Sequence, residues 1–147
     1  MAKLRHIALS VSDLETAKKF FEDAFDMEMV GKAATGVYMS DGTINIALLA
    51  RQGRPLGYEG EAPFYGIDHF GIWVEDIDEA CRKVEAAGAI HVMGEPTNNP
   101  DTFYEVKYRD PLGQIFDLTQ NGWKGAVKDV VPAATPDKAG DKAEAAE

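Results

Sequence analysis

The sequence contains three histidines, and two of them fall at matching points of a repeated segment. Residues 5–28 read RHIALSVSDLETAKKFFEDAFDME, and residues 68–91 read DHFGIWVEDIDEACRKVEAAGAIH. His6 matches His69, Val11 matches Val74, Asp13 matches Asp76, Leu14 matches Ile77 and Ala17 matches Ala80, at a constant offset of 63 residues (69 minus 6). Each of these histidines stands at the start of an apolar, strand-like run. If the halves are related by a pseudo-two-fold axis, the two imidazoles meet across it, and two facing imidazoles are half of a metal site. The last strand of each half gives a second matched set, Ile46-Ala47-Leu48 against Phe116-Asp117-Leu118. Asp117 shares a strand face with Ile115 and Thr119. An ionised carboxylate on a mostly apolar strand is costly unless it is paired or bound to metal. His6, His69 and Asp117 together make two imidazoles and one carboxylate, the facial-triad set that leaves positions open for water, oxygen or substrate. A lone histidine at a strand start is ordinarily a satisfied polar residue, and Asp117 alone reads equally well as a strand-edge carboxylate facing solvent. The combination is what points to a divalent metal ion. His91 has no match in the repeat and reads as an ordinary strand residue.

Other chemistry-bearing residues surround this set. Glu105, Lys107 and Arg109 alternate on one face of the strand before Asp117. If that face lines a cleft, Lys107 or Glu105 is placed to move protons, because burial shifts the pKa of such groups. The preferred reading is that this is the solvent face of an edge strand. Asn45, two residues before Ala47, shares its face and is a candidate to hydrogen-bond substrate or to replace a ligand through water. Tyr38, Tyr65 and Tyr104 are candidates to line a substrate pocket, although aromatic residues more often simply fill a core.

The elements that must position these residues follow from periodicity. After its first strand, each half has an Asp placed to cap a helix. Leu14, Ala17, Phe20, Phe21 and Ala24 mark one face of the first helix. Ile77, Ala80, Cys81, Val84 and Ala87 do the same in the second, which Gly88 stops. Three short strands follow each helix: Met27–Lys32, Gly36–Met39 and Thr43–Ala50, then Ala89–Gly94, Thr102–Arg109 and Gln114–Gln120. Asp41-Gly42 and Asp110-Pro111-Leu112-Gly113 supply tight turns. The chain therefore reads as an α+β fold of two tandem βαβββ modules, about 3–50 and 66–120, joined by a Gly- and Pro-rich linker over 51–65. Residues 1–123 form one domain. Residues 124–147 are mostly Ala, Lys, Asp, Glu and Pro, with no aromatic residue. Such a segment buries too little surface to offset its ordering entropy, so a mobile tail is expected, with at most a marginal helix over 138–146.

Composition narrows the function classes. The 147 residues are 45% hydrophobic, ordinary for a domain with a real core. The formal charge of -10 argues against nucleic acid and against docking on anionic membranes. Neither a membrane-spanning run nor a signal-peptide core is apparent. Cys81 is the sole cysteine, so no intramolecular disulfide is possible. A cytoplasmic protein acting on a small molecule is expected.

The paired pattern HIALSVSDLETAKKFFEDAFDM and HFGIWVEDIDEACRKVEAAG, closing with DPLGQIFDL, resembles the vicinal-oxygen-chelate superfamily. That group includes glyoxalase I, extradiol dioxygenases, methylmalonyl-CoA epimerase, and the fosfomycin and bleomycin resistance proteins. The resemblance covers roughly residues 3–120. It implies modules that curl together into an open barrel-like cleft, with metal ligands from the first and last strand of each module. Carried over by position, these are His6, Ala47, His69 and Asp117. Alanine cannot coordinate, which separates this chain from a standard glyoxalase I or methylmalonyl-CoA epimerase. Asp117 stands where Glu is usual, one methylene shorter. A three-ligand set is similar to that of extradiol dioxygenases, although those chains are longer and carry more modules. The resemblance thus implies one divalent ion (iron, manganese, zinc or nickel) and a substrate with vicinal oxygens, acted on by dioxygenase-like or lyase- or isomerase-like chemistry. The competing reading is a non-catalytic drug- or metabolite-binding protein of the bleomycin resistance type. A metal-free scaffold with structural histidines is a third. A homodimer is expected by analogy.

Overall fold

The structure is a computed structural model that describes residues 1–50, 63–97 and 105–131. Its elements are β1 (Lys3–Ser10), α1 (Leu14–Phe25), β2 (Glu28–Ala33), β3 (Gly36–Ser40) and β4 (Asn45–Leu49), then β5 (Gly66–Trp73), α2 (Ile77–Ala86), β6 (Ile90–Met93), β7 (Val106–Arg109) and β8 (Ile115–Thr119). Each half is β-α-β-β-β, as the periodicity predicts. The eight strands form one open, curled sheet in the order β2-β3-β4-β1-β5-β8-β7-β6. The order is symmetric about the β1–β5 seam. Those two strands run antiparallel, and each is flanked by the parallel last strand of its own module, β4 or β8. The first strand of each module is therefore central, and this brings His6 and His69 onto neighbouring strands.

Strand alternation divides the sheet into two faces. On one face the helices cover Met39 and Leu48 in the first module, and Val106, Tyr108, Phe116 and Leu118 in the second. The other face carries His6, Ala8, Ala47 and Leu49. Each helix starts where its Asp accepts a backbone hydrogen bond: Thr16 N donates to Asp13 Oδ1 at 2.7 Å, and Glu79 N donates to Asp76 Oδ1 at 2.7 Å. The second helix ends at Ala87 and Gly88, the glycine holding φ +96°. The first ends at Asp26 in the left-handed region, φ 53°. Asp tolerates that conformation better than most residues.

Two sequence expectations are corrected here. The apolar stripe of α1 is narrower than predicted. Leu14, Ala17 and Phe21 pack inward, but Phe20 is 55% exposed and Ala24 is exposed as well. The first turns of the segment expected as a tail are held against the sheet. Asn45 Nδ2 donates to Lys124 O at 2.7 Å, and Ser40 Oγ donates to Gly125 O at 2.7 Å, directly after the buried Trp123 that closes the expected domain. Val127 N donates to Thr43 O at 3.1 Å, and Arg5 Nε donates to Val127 O at 2.5 Å. Composition missed this strap because its side of these hydrogen bonds is made by backbone groups, which do not depend on residue type. Gly125 holds φ +75°, and a Cβ there would come within 2.6 Å of Ser40 Cβ, so the strap needs glycine at that point. Residues 132–147, like linker residues 51–62, lie outside the described part. Among the described residues, no helix is long and apolar enough to cross a membrane.

Candidate metal centre

His6 enters the cleft from β1, His69 from β5 and Asp117 from β8, all buried. One ligand-type atom of each lies within 4.8 Å of the others. The imidazole centroids are 5.4 Å apart. Each ring is oriented by a hydrogen bond on its far nitrogen. His6 Nδ1 donates to Asn45 Oδ1 at 2.6 Å, and an amide oxygen can only accept. The proton therefore sits on Nδ1, and Nε2 presents a lone pair. His69 Nδ1 lies 2.6 Å from Asp68 Oδ1, which puts a proton on that nitrogen, and Asp68 Oδ2 accepts from Ser10 Oγ at 2.9 Å. Outer partners that lock the tautomer and aim the ring are what metal-ligating histidines carry.

Asp68 reaches this position through a β-bulge. Ala8 pairs with His69 and Leu9 with Ile67, leaving Asp68 as the extra residue. Regular alternation would send consecutive residues to opposite faces, but here Asp68 and His69 are both buried. Asp68 was not among the sequence candidates. The only signal is its adjacency to His69, and alternation argues against using it. Trp123 was missed too. It stacks on His6 with centroids 4.9 Å apart and planes within 7°. Gly71 makes room for it: a Cβ at Gly71 would lie 2.4 Å from the Trp123 ring and 2.9 Å from His6 Cβ.

Lys107 and Glu105 face this cleft rather than solvent, which overturns the edge-strand reading. Val106 and Tyr108, between and beyond them, pack under α2, so alternation turns Lys107 and Glu105 inward. The Lys107 Nζ hydrogen-bonds Asp117 Oδ2 and also reaches Glu105 Oε2 at 3.2 Å. Glu105 Oε1 accepts from Trp123 Nε1 at 2.5 Å. Asn45 is fully buried behind His6 and orients its ring. A cavity of about 180 Å³ opens above the histidines, lined by Tyr38, Ala47, Leu49, Glu105, Lys107 and both imidazoles, among others. Tyr65 lies elsewhere, half exposed in a groove beside Phe20 and Phe21. Tyr104 falls outside the described residues.

The electrostatics follow from burial and pairing. Burial, then the neighbouring His69, pushes His6 down to about 4, so it is neutral at ordinary pH. Burial alone would raise the Asp117 carboxyl, but His69 and Lys107 outweigh it and hold it at about 2. Burial would lower His69, yet its bonds to Asp117 and Asp68 raise it. Burial raises Glu105, with the Asp117 charge adding to it. Asp117 Oδ1 is buried without a hydrogen-bond partner among the described residues. An unpaired oxygen on a buried carboxylate is expensive, and on a carboxylate grouped with two imidazoles it is one that a divalent ion would satisfy. The residues present fit such an ion.

Residues 3–118 match the family model described as Glyoxalase/Bleomycin resistance protein/Dioxygenase superfamily. The chain belongs to that superfamily. Among solved structures, the fold is similar to the Mn(II)-bound glyoxalase from Novosphingobium aromaticivorans, with a TM-score of 0.62 and 22% identity over 89% of this chain and 44% of that one. It is similar to the Streptomyces coelicolor methylmalonyl-CoA epimerase, with a TM-score of 0.62 and 16% identity over 79% and 94%. It is also similar to the 2,3-dioxygenase LapB of a Pseudomonas species, with a TM-score of 0.60 and 19% identity over 91% and 46%. This chain thus spans less than half the length of the glyoxalase and the dioxygenase. At these identities the likeness establishes the fold.

Proposed function

We propose that this protein is a divalent-metal-dependent enzyme in which His6, His69 and Asp117 hold the ion and a small molecule with adjacent oxygen atoms is the substrate. The observation that carries this reading is the buried grouping of His6, His69 and Asp117, whose ligand-type atoms lie within 4.8 Å of one another, with Asp117 Oδ1 unpaired and the outer imidazole nitrogens committed to Asn45 and Asp68. Iron, manganese, zinc or nickel suits such a set. When bound, the ion supplies Lewis-acid polarisation of the substrate oxygens. The chain's own residues do the rest. Ala47 leaves the fourth corner of the site open on the cavity side. Ala47 and Leu49 give that wall an apolar surface that limits water. Lys107 and Glu105 stand over the cavity as a linked ammonium and carboxyl, each able to hold a proton near a bound ligand. That pair favours proton-transfer chemistry (isomerisation, epimerisation or lyase cleavage) over oxygenation.

The test is elemental analysis of untagged protein, wild type beside His69→Ala. About one transition-metal ion per chain in the wild type, lost in the variant, is expected. A folded wild type that takes up no metal after anaerobic reconstitution would refute the proposal and favour a binding protein of the bleomycin resistance type.

A further inference from the structure

We propose that the Lys107 ammonium is the resident cation of the metal-free site, which an entering metal ion must displace from Asp117 onto Glu105. This inference rests on reading His6, His69 and Asp117 as a metal site. Lys107 and Asp117 are direct cross-strand partners on β7 and β8. The ammonium bonds Asp117 Oδ2, the same oxygen that lies 3.2 Å from His69 Nε2. Asp117 is 0% exposed and does not reach the cavity wall; Lys107, with its side chain 13% exposed, forms that wall in its place. An ion approaching Asp117 from the cavity therefore meets Lys107 first.

A transition-metal ion sits about 2.0–2.2 Å from each nitrogen or carboxylate ligand. With the three ligand atoms inside 4.8 Å of one another, the ion would share one small carboxylate with the ammonium. A dication and an ammonium side by side repel strongly where water is excluded. Lys107 has somewhere to go. Glu105 Oε2 is already 3.2 Å from its Nζ, and Glu105 is anchored by the indole of Trp123. The move is a turn of the lysine tip from one carboxylate to the other. In the first module, Tyr38 stands opposite Ala47 in the matching register, so the cation accompanies the carboxylate. The metal-free chain can then fold without an uncompensated buried charge, and metal affinity is reduced by the displacement.

The experiment compares Mn²⁺ titration calorimetry and thermal melts, in EDTA and with Mn²⁺, for wild type, Lys107→Met and Lys107→Arg. Lys107→Met is expected to bind Mn²⁺ at least tenfold more tightly than wild type. Its metal-free melting temperature should fall, and Mn²⁺ should restore it. Lys107→Arg keeps the charge and should bind like wild type. Equal or weaker Mn²⁺ affinity in Lys107→Met overturns the inference while leaving the metal site standing. Binding in Lys107→Met but not in wild type upholds the inference and overturns the proposed resting metal enzyme. Mn²⁺ binding in neither overturns both. If Lys107→Met does not fold, Lys107→Gln, which keeps a donor for Asp117 without the charge, is held to the same expectations.

Discussion

In the first module the strand position facing the cleft is Ala47, with Tyr38 opposite it on β3; in the second the corresponding pair is Asp117 and Lys107. The central strands match as well, since Ala8 lies beside Ala47 and Gly71 beside Asp117. Two backbones of the same design thus carry different chemistry. The first contributes one neutral imidazole, steadied by the neutral amide of Asn45. The second contributes an imidazole steadied by the carboxylate of Asp68, and with it Asp117, Lys107 and Glu105. A duplicated scaffold fixes where ligands can stand. Which half bears the charge is a matter of single residues, and concentrating it in one half leaves Ala47 and Leu49 of the other as an apolar wall of the cavity.

Substitutions that remove the difference should have graded effects. The largest is expected for Asp117→Ala, which makes the second module resemble the first. Metal affinity should fall by two orders of magnitude or more. Removing one partner of a buried pair also leaves Lys107 with Glu105 as its sole remaining carboxylate partner among the described residues, at about 3 kcal/mol of stability by denaturant melts. Full metal occupancy in Asp117→Ala would break the assignment. A middle effect is expected for the residues behind the rings. Asp68→Ala should cost about 10–100-fold in metal affinity. Asn45→Ala, which removes a neutral partner, should cost less. Calorimetry that ranked them the other way would show that charge behind the ring is not what separates the modules.

The smallest effect concerns pH in the metal-free protein. His6 is held down at about 4, so its contribution to stability is complete above the ordinary imidazole value of 6.5 and is lost as pH falls toward 4. His69 is raised, so its contribution is complete below 6.5 and is lost as pH rises through its higher value. Nuclear magnetic resonance of the ring nitrogens should show the two imidazoles titrating on opposite sides of 6.5. A common midpoint would remove this asymmetry between the modules.

The sequence alone carried the repeat, the order of elements and the pairing of His6 with His69, because these depend on local periodicity, helix capping and a constant offset. It also placed Asp117 at the matching strand position. Alternation says which residues share a face but not which face is inside, so the inward turn of Lys107 and Glu105 was decided only when Val106 and Tyr108 packed under α2. The bulge that turns Asp68 toward His69 depends on how β5 pairs with β1. The strap that seats Trp123 on His6 is held by carbonyl groups that composition does not register. What tertiary structure decided was the outer ring of partners around the site, because those contacts depend on how separate strands and the strap pack together and are set by that geometry instead of residue type.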